Sequence, residues 1–332
     1  MNSQAKLRYV DRLKGLGILL MIAGHLYTFC YDETSTTANQ MIRWTNMPMF
    51  LFLSGCVIST PPHWDKAARR AARYLLPAVL IGFLLNAVVS EKTLGELISL
   101  SSLRMLIPPT GYWYLVVLTI FNISLMPLLV FKKSIIVDCL LAIVCYALFT
   151  VGWRYGGQTG QLFFMEHCAT YYPFFILGFM ARRHGILNYV LSHNWTFTLA
   201  VIVYVVAFNL HPDIHLVKNL IERFILPVTG TAALVYMFGR REQQESRLEN
   251  ALLFFGHNSL DIYLIHFFLI RFIHLQPVVA WLTGTGNAFI ELGMTASLCL
   301  IVATVSVYIG RFFKQSHVVR QYVYGEFVNK QQ

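Results

Sequence analysis

The feature that most constrains this chain is a succession of apolar segments, most of them long enough for a helix to cross a bilayer. A hydrocarbon core of about 30 Å needs about 20 helical residues. In that environment backbone polar groups must be paired internally, which helices achieve within one segment. Ten apolar windows lie between clusters of charge, roughly at 13–31, 44–60, 75–90, 111–131, 134–153, 169–182, 194–211, 219–239, 258–275 and 288–312. We therefore predict an all-α transmembrane bundle of about ten spans.

Composition agrees with a membrane protein. Charged residues make up 13% of the chain, about half of the roughly 25% typical of soluble domains, and the mean hydropathy is +0.56. These values exclude a soluble globular protein, a disordered chain and a nucleic-acid-binding module. The net charge of +10 does not require an anionic macromolecular partner, because the basic residues lie in short clusters between the apolar segments.

The distribution of those basic residues predicts the topology. Nineteen of the 26 Lys and Arg residues lie in alternate segments that include both termini, and seven lie in the others. Cytoplasmic loops are enriched in Lys and Arg, so ten spans with both termini in the cytoplasm is the consistent arrangement. The longest connecting segments, 91–110, 154–168 and 240–257, are too short for a soluble domain. We expect residues 1–332 to form a single membrane domain with no fused soluble domain.

Polar residues inside the spans are the candidates for function, because they are costly to bury in lipid. In the first span, Lys14 and His25 are eleven residues apart, which on a helix leaves them about 20° apart on one face. Asp11 lies about 40° from His25 on that face. A neutral imidazole suits proton transfer near pH 7. The competing interpretation is that Lys14 anchors the helix at the membrane surface and His25 is a packing residue.

Two further segments carry polar or basic residues with both structural and functional interpretations. Asn46 and Ser54 flank an apolar stretch of the second span, and either binds a substrate or stabilises helix packing. Arg69 and Arg73 are four residues apart and would share a helix face. Paired guanidinium groups bind phosphates, which suits a nucleotide or coenzyme A, although anchoring by anionic lipid would use the same residues.

The ninth window opens with a polar stripe. Ser259, Tyr263 and His266 lie at positions i, i+4 and i+7, so on a helix they face the bundle or a cavity. Trp113 and Tyr114 suit an aromatic belt at the membrane surface or a substrate contact. Six cysteines without a CxxC pair indicate neither a disulfide framework nor a metal site.

Taken together, these segments resemble acyltransferase family 3, a family of integral membrane proteins. The resemblance covers nearly the whole chain. It rests on a basic residue, ten others and a histidine in the first span, and on five more motifs: Met47-Pro48 to Ser54-Gly55, Arg69/Arg73 to Pro77, Trp113-Tyr114-Leu115, Pro173 to Gly178, and Ser259 to His266. It implies a bundle of about ten helices that moves an acyl group, commonly acetyl, from cytoplasmic acyl-CoA to a hydroxyl of an extracytoplasmic acceptor.

The resemblance also implies roles for the candidate residues. His25 would be the general base or a transient acyl carrier, and the donor acyl-CoA would be bound by Lys14, Arg69, Arg73 and Asp11. The acceptor and the developing oxyanion would be contacted by a larger polar set: Asn46, Ser54, Trp113, Tyr114, Ser259, Tyr263 and His266. Two positions depart from the family pattern. Lys14 replaces a frequent arginine, and Asn46 replaces an expected histidine, which puts the identity of the acceptor in question.

These inferences predict a membrane O-acyltransferase, with acetyl as the expected group, in the bacterial plasma membrane. Its partners would be membrane lipid, acyl-CoA and a glycan or glycolipid acceptor, without a permanently bound cofactor, a metal or nucleic acid. The sequence leaves open whether the protein forms a homo-oligomer. Two other functions stay open: a transporter or flippase for a glycolipid or small solute, and a scaffold that has kept the family shape without its chemistry.

Overall fold

A computed structural model describes residues 8–31, 37–58, 60–89, 112–210, 212–241, 246–272 and 288–325. Throughout these ranges the regular structure is helical, and no strand occurs in them. The helices are α1 Arg8–Phe29, α2 Thr37–Cys56, α3 Trp64–Val89, α4 Trp113–Ser124, α5 Ile135–Tyr155, α6 Gly157–Leu162, α7 Met165–Arg183, α8 Ile186–Ser192, α9 Asn194–Asn209, α10 His215–Leu220, α11 Leu226–Arg240, α12 Arg247–His257, α13 Ser259–Phe272 and α14 Ala288–Phe313. The predicted all-α class is confirmed.

Shorter helical segments extend or interrupt this series. A 3₁₀ segment, Met126–Leu129, follows α4, and a π-helical segment, Ile221–Ile225, joins α10 to α11 without a break. A second π-helical segment, Val319–Val323, follows α14. Each of the ten apolar windows falls on a helix of the structure, whereas the predicted connecting segment 91–110 lies outside the described residues.

The predicted connecting segment 240–257 is different, because much of it forms helix α12. A capping box begins this helix: the Glu249 backbone N–H donates to Ser246 Oγ, and the Ser246 backbone N–H donates to the Glu249 carboxylate. Such reciprocal bonds satisfy two donors that a helix start would otherwise leave unpaired. The signal was present in the sequence as Ser, two residues and Glu before an apolar run.

Length and hydropathy identify several of the helices as candidate membrane spans. Within the described ranges, three segments are long and apolar enough to cross a bilayer: α5, the continuous run His215–Arg240, and Phe289–Phe313 of α14. The number rises to five if two bent pairs each count as one span. These pairs are α8 with α9, bent by 91°, and α12 with α13, bent by 81°. The other predicted spans, and the location of the termini, stay predictions.

The chain divides into two compact units. Unit 1 comprises residues 1–53 and 185–310. Its organising element is α1, which packs against α11, α12 and α13, while α9 packs against α11. Because α1 contacts three helices from the later part of the chain, its polar residues meet partners distant in sequence.

Unit 2 comprises residues 54–184 and 311–332. Here α5 packs against α7, α3 packs against α4, and the segment Val319–Val323 packs against α3. Its core contains an aromatic cluster in which Phe121 contacts Tyr172 and Phe175, with ring centroids 5.2 and 5.1 Å apart. Such ring pairs contribute about 0.5–1.5 kcal/mol beyond the area they bury.

Candidate active site

Helix α1 carries three of the predicted site residues, Asp11, Lys14 and His25. It runs without interruption from Arg8 to Phe29, so the angular relation deduced from helical geometry applies to these residues. Neighbouring helices of unit 1 bury α1 on several sides, including Asp11, Arg12 and Leu13, whereas Lys14 and His25 are half-buried. The helix therefore presents a polar series within a mostly apolar environment.

The start of α1 is fixed by a close crossing with α12. A Cβ atom added to Gly15 would overlap the carbonyl oxygen of Leu252, and one added to Gly256 would overlap that of Asp11. The two backbones therefore touch at a point that only glycine permits. This crossing sets the position of Asp11 and Lys14 relative to α12.

A charged cluster lies beside that crossing. The carboxylate of Asp11 is 3.7 Å from Lys14 Nζ and 3.2 Å from His257 Nε2, at the end of α12. The Asp11 carboxylate thereby orients both basic side chains. His257 was not among the predicted residues, because its segment was interpreted as a connection and the contact spans most of the chain.

Arg12, the next residue on α1, has a structural role. Its side chain is almost fully buried, Nη1 donates to the carbonyl oxygen of Arg241 at 2.7 Å, and Glu249 lies 3.7 Å away. Removing one partner of a buried ion pair leaves an uncompensated charge, so loss of either Arg12 or Glu249 is expected to be strongly destabilising. Arg12 thus connects α1 to α12 and to the end of α11.

Deeper along α1, His25 meets His266 of α13. The two rings are stacked, with centroids 5.3 Å apart and planes inclined by 26°. Phe267 approaches the His25 ring edge-on at 5.6 Å, and Phe29 stacks on it at 5.8 Å. The structure therefore brings together two predicted residues separated by most of the sequence, in surroundings formed by aromatic rings.

The other predicted residues of unit 1 lie on α2 and α13. Asn46 is buried against α1: with its amide oriented to satisfy hydrogen bonding, Nδ2 donates to Gly17 O at 2.9 Å and Oδ1 accepts from Met21 N at 3.2 Å. These bonds fix the turn of α1 that precedes His25. Ser259 begins α13, and Tyr263 is buried one turn later, its ring centroid 6.1 Å from that of His266.

In unit 2, three predicted residues lie on or beside α4. The hydroxyl groups of Ser54 and Tyr114 are hydrogen-bonded at 2.9 Å. Trp113 stacks on Tyr171 at 5.3 Å and lies 4.4 Å from the ring of His167, both on α7. The two predicted aromatic residues thus belong to different contacts, one polar and one formed by rings.

In the basic segment of α3, the arginine that contacts another helix is not one of the two predicted residues. Arg69 Nη2 bonds to Asp65 one turn earlier at 2.7 Å, and Arg73 is exposed. The backbone N–H of Lys66, and then the Arg69 side chain, hold the pKa of the Asp65 carboxyl below its usual value. The arginine that faces another helix is Arg70, whose Nη1 donates to Asn122 of α4 at 3.1 Å.

Arg70 and Asn122 were not among the predicted residues. Asn122 is buried, and its Nδ2 also donates to Leu118 O at 2.7 Å. An asparagine within an apolar span is the signal that would have identified it. Of the predicted set, unit 1 contains Asp11, Lys14, His25, Asn46, Ser259, Tyr263 and His266, and unit 2 contains Ser54, Arg69, Arg73, Trp113 and Tyr114.

Comparison with known proteins agrees with the resemblance drawn from the motifs. Searches of curated proteins and of solved structures gave no match. The family model described as an acyltransferase domain, that of acyltransferase family 3, matches residues 7–311 of the 332. The match includes α1, both histidines of the stacked pair and all the other predicted site residues. The chain is a membrane protein of acyltransferase family 3.

Proposed function

We propose that this protein is a membrane O-acyltransferase that moves an acyl group, with acetyl as the expected one, from cytoplasmic acyl-CoA to a hydroxyl of an extracytoplasmic glycan or glycolipid. His25 is its catalytic residue, either as general base or as transient acyl carrier. The proposal includes ten spans, both termini in the cytoplasm, and location in the bacterial plasma membrane.

The observation that carries this proposal is the stacked pair of His25 and His266 in a member of an acyltransferase family. Acyl transfer to a hydroxyl needs a group that accepts a proton near neutral pH, and imidazole is the side chain best suited to that task. Two imidazoles in contact, bordered by aromatic side chains such as Phe267, are expected to exclude water.

The donor and acceptor residues of the proposal follow from the sequence argument. The phosphates of acyl-CoA are assigned to Lys14, Arg69 and Arg73, and Asp11 belongs to the same donor site by orienting the Lys14 ammonium group. The acceptor is assigned to the remaining polar and aromatic set: Asn46, Ser54, Trp113, Tyr114, Ser259, Tyr263 and His266. Among these, Asn46 has hydrogen bonds to the α1 backbone, which supports an indirect role in placing His25.

The test is the O-acetyl content of surface glycans in a deletion strain of the native host. The strain is complemented with wild type, with His25→Ala, or with His63→Ala, an exposed histidine at the start of α3 that serves as a matched control. All three proteins are brought to the same membrane abundance. We expect acetylation with wild type and His63→Ala, and its absence with His25→Ala.

Other outcomes separate the alternatives. Equal acetylation by His25→Ala would make that histidine structural and contradict the mechanism. If wild type leaves the glycans unchanged, an acetyl glycan product is excluded. Movement of a fluorescent glycolipid across proteoliposomes without acyl-CoA would then favour a transporter or flippase, and inactivity in both assays would favour a scaffold.

A further inference from the structure

The tautomer of His266 follows from its contact with the helix backbone. Its Nδ1 lies 2.9 Å from the carbonyl oxygen of Ile262, one turn earlier on α13. A carbonyl oxygen only accepts hydrogen bonds, so Nδ1 carries the proton and donates it. In the neutral ring, Nε2 then holds the lone pair. His266 is therefore an acceptor at Nε2, which excludes it as a donor to the oxyanion while the ring is neutral.

The acceptor nitrogen of His266 is unsatisfied. The residue is only 3% exposed, and in the part of the chain that the structure describes Nε2 has no hydrogen-bond partner. Nearly all buried polar atoms in folded proteins are hydrogen-bonded, so an exception calls for a specific explanation. A substrate hydroxyl group, which donates one hydrogen bond, would satisfy this nitrogen.

The second histidine does not occupy that nitrogen. Because His25 and His266 are stacked with their planes inclined by 26°, the rings meet face to face rather than through their nitrogen atoms. The described contacts of the His25 ring are with Phe29, His266 and Phe267, and none of these orients a ring nitrogen by a hydrogen bond. A general base is commonly held by a third group, and within the described ranges His266 has one in the carbonyl of Ile262, whereas no such group is found for His25.

We propose that His266 is a second catalytic residue, whose Nε2 takes the proton of the acceptor hydroxyl, and that His25 carries the acyl group. The inference rests on the proposed function and divides its chemistry between the two rings. Their centroids are 5.3 Å apart, which is close enough for both rings to belong to one site.

Acyl transfer to His25 and acyl transfer to the acceptor together conserve atoms, charge and protons. A neutral His25 nitrogen attacks the thioester carbon, the carbon–sulfur bond breaks, and the proton of the other His25 nitrogen passes to the coenzyme A sulfur. The acceptor hydroxyl then loses its proton to His266 Nε2, and its oxygen bonds to the acyl carbon. The bond from that carbon to His25 breaks, and His266 returns the proton to His25. The net products are an ester and coenzyme A thiol.

The experiment measures the steps separately in proteoliposomes. Exchange of radiolabelled coenzyme A into acetyl-CoA, without acceptor, reports acyl transfer to His25. Transfer of radiolabelled acetyl to membranes of the deletion strain, which contain the native acceptor, reports the second step. The variants are His25→Ala, His266→Ala and His266→Gln, with His63→Ala as control. Gel filtration in detergent checks that each variant is folded.

We expect His25→Ala to abolish both exchange and transfer. His266→Ala should keep exchange but lose transfer by about 10²–10⁴-fold, the usual contribution of a positioned base. Added imidazole should restore part of the transfer to His266→Ala and none to His266→Gln, whose amide fills the space without accepting a proton. His63→Ala should match wild type in both assays.

Three results would overturn the proposal. One is wild-type transfer by His266→Ala. Another is equal loss of exchange and transfer in both folded His266 variants without rescue by imidazole, which would make His266 a packing residue. The third is acetyl transfer by wild type without any coenzyme A exchange, which would remove the acyl-carrier role of His25. Failure of the proposed function differs from all three, because wild type would then neither exchange coenzyme A nor transfer acetyl.

Discussion

Both units contain buried or partly buried histidines, but their partners differ. In unit 2, His184 Nε2 lies 2.7 Å from the carboxylate of Asp138, which Arg183 also approaches at 3.0 Å. In unit 1, His25 and His266 contact each other and aromatic rings, and the described contacts include no carboxylate. One cluster is an ion-paired connection between the first turn of α5 and the end of α7, and the other is a pair of stacked imidazole rings.

The difference indicates how to distinguish a structural histidine from a functional one. The nitrogen of His184 that meets Asp138 is satisfied within the protein, so a ligand there would displace an existing interaction. The Nε2 atom of His266 is buried and unsatisfied among the described residues, so a ligand would add an interaction. Residue type and burial alone would not separate His184 from His266, whereas the hydrogen bonding of their ring nitrogens does, although the His184 cluster also contains two unsatisfied atoms, Asp138 Oδ1 and Arg183 Nε.

The largest expected effect is on catalysis at the pair. His25→Ala should abolish acetyl transfer, because the acyl group loses its carrier, while the bundle stays folded. Turnover in proteoliposomes and the thermal midpoint in detergent would be measured together, with His63→Ala as the matched control. A loss of turnover accompanied by an equal loss of folded protein would show that His25, like the Asp138 cluster, has a structural role.

The next effect is on stability at the other cluster. Asp138→Asn leaves the nearly buried Arg183 without its carboxylate, and breaking such a pair costs about 3 kcal/mol of unfolding free energy. The thermal midpoint should fall, whereas turnover per folded molecule should stay within about twofold of wild type. Glu166→Gln, which also replaces a carboxylate by an amide but at an exposed residue, is the control. An unchanged midpoint would show that Asp138 is not a structural connection.

The same comparison extends to the arginines of α3. Arg73 is exposed, whereas Arg69 is bonded to Asp65. If acyl-CoA phosphates bind there, Arg73→Gln should raise the KM for acetyl-CoA about tenfold, the equivalent of one charge-assisted hydrogen bond. Arg69→Gln should raise it only about threefold, because Asp65 competes for that guanidinium. Steady-state kinetics at low and high salt would measure both, and equal effects would contradict the distinction.

The smallest effect is expected from Asp65→Asn. Releasing Arg69 should lower the KM for acetyl-CoA by less than about twofold, because exposed ion pairs are weak. The lowered pKa of Asp65 keeps its carboxylate charged at neutral pH, so this shift should be constant between about pH 6 and 8. Kinetics of Asp65→Asn at those two pH values would measure it. A KM that changes with pH only in wild type would imply that Asp65 titrates in that range.

Helical periodicity predicted which site residues share a face of one helix, but it did not predict which residues of other helices they contact. The alignment of Asp11, Lys14 and His25 follows from the continuity of α1, and the stripe containing His266 follows from that of α13. The contact between His25 and His266 is a tertiary contact, which the periodicity of a single helix cannot predict. For the same reason, two other contacts between helices were not predicted: the ion pair of Asp11 with His257 and the hydrogen bond from Arg70 to Asn122.

Unit 1 is built from two separated stretches of sequence, and this has a consequence for biosynthesis. Arg12 and the Arg241 carbonyl it contacts are 229 positions apart, and the histidine pair is wider still. A ribosome must therefore synthesise residues 54–184 before α1 can meet α11, α12 or α13. Contacts of such long sequence separation form late. Nascent chains would then hold His25 without His266, so the proposed two-histidine chemistry requires a chain that has been synthesised beyond α13.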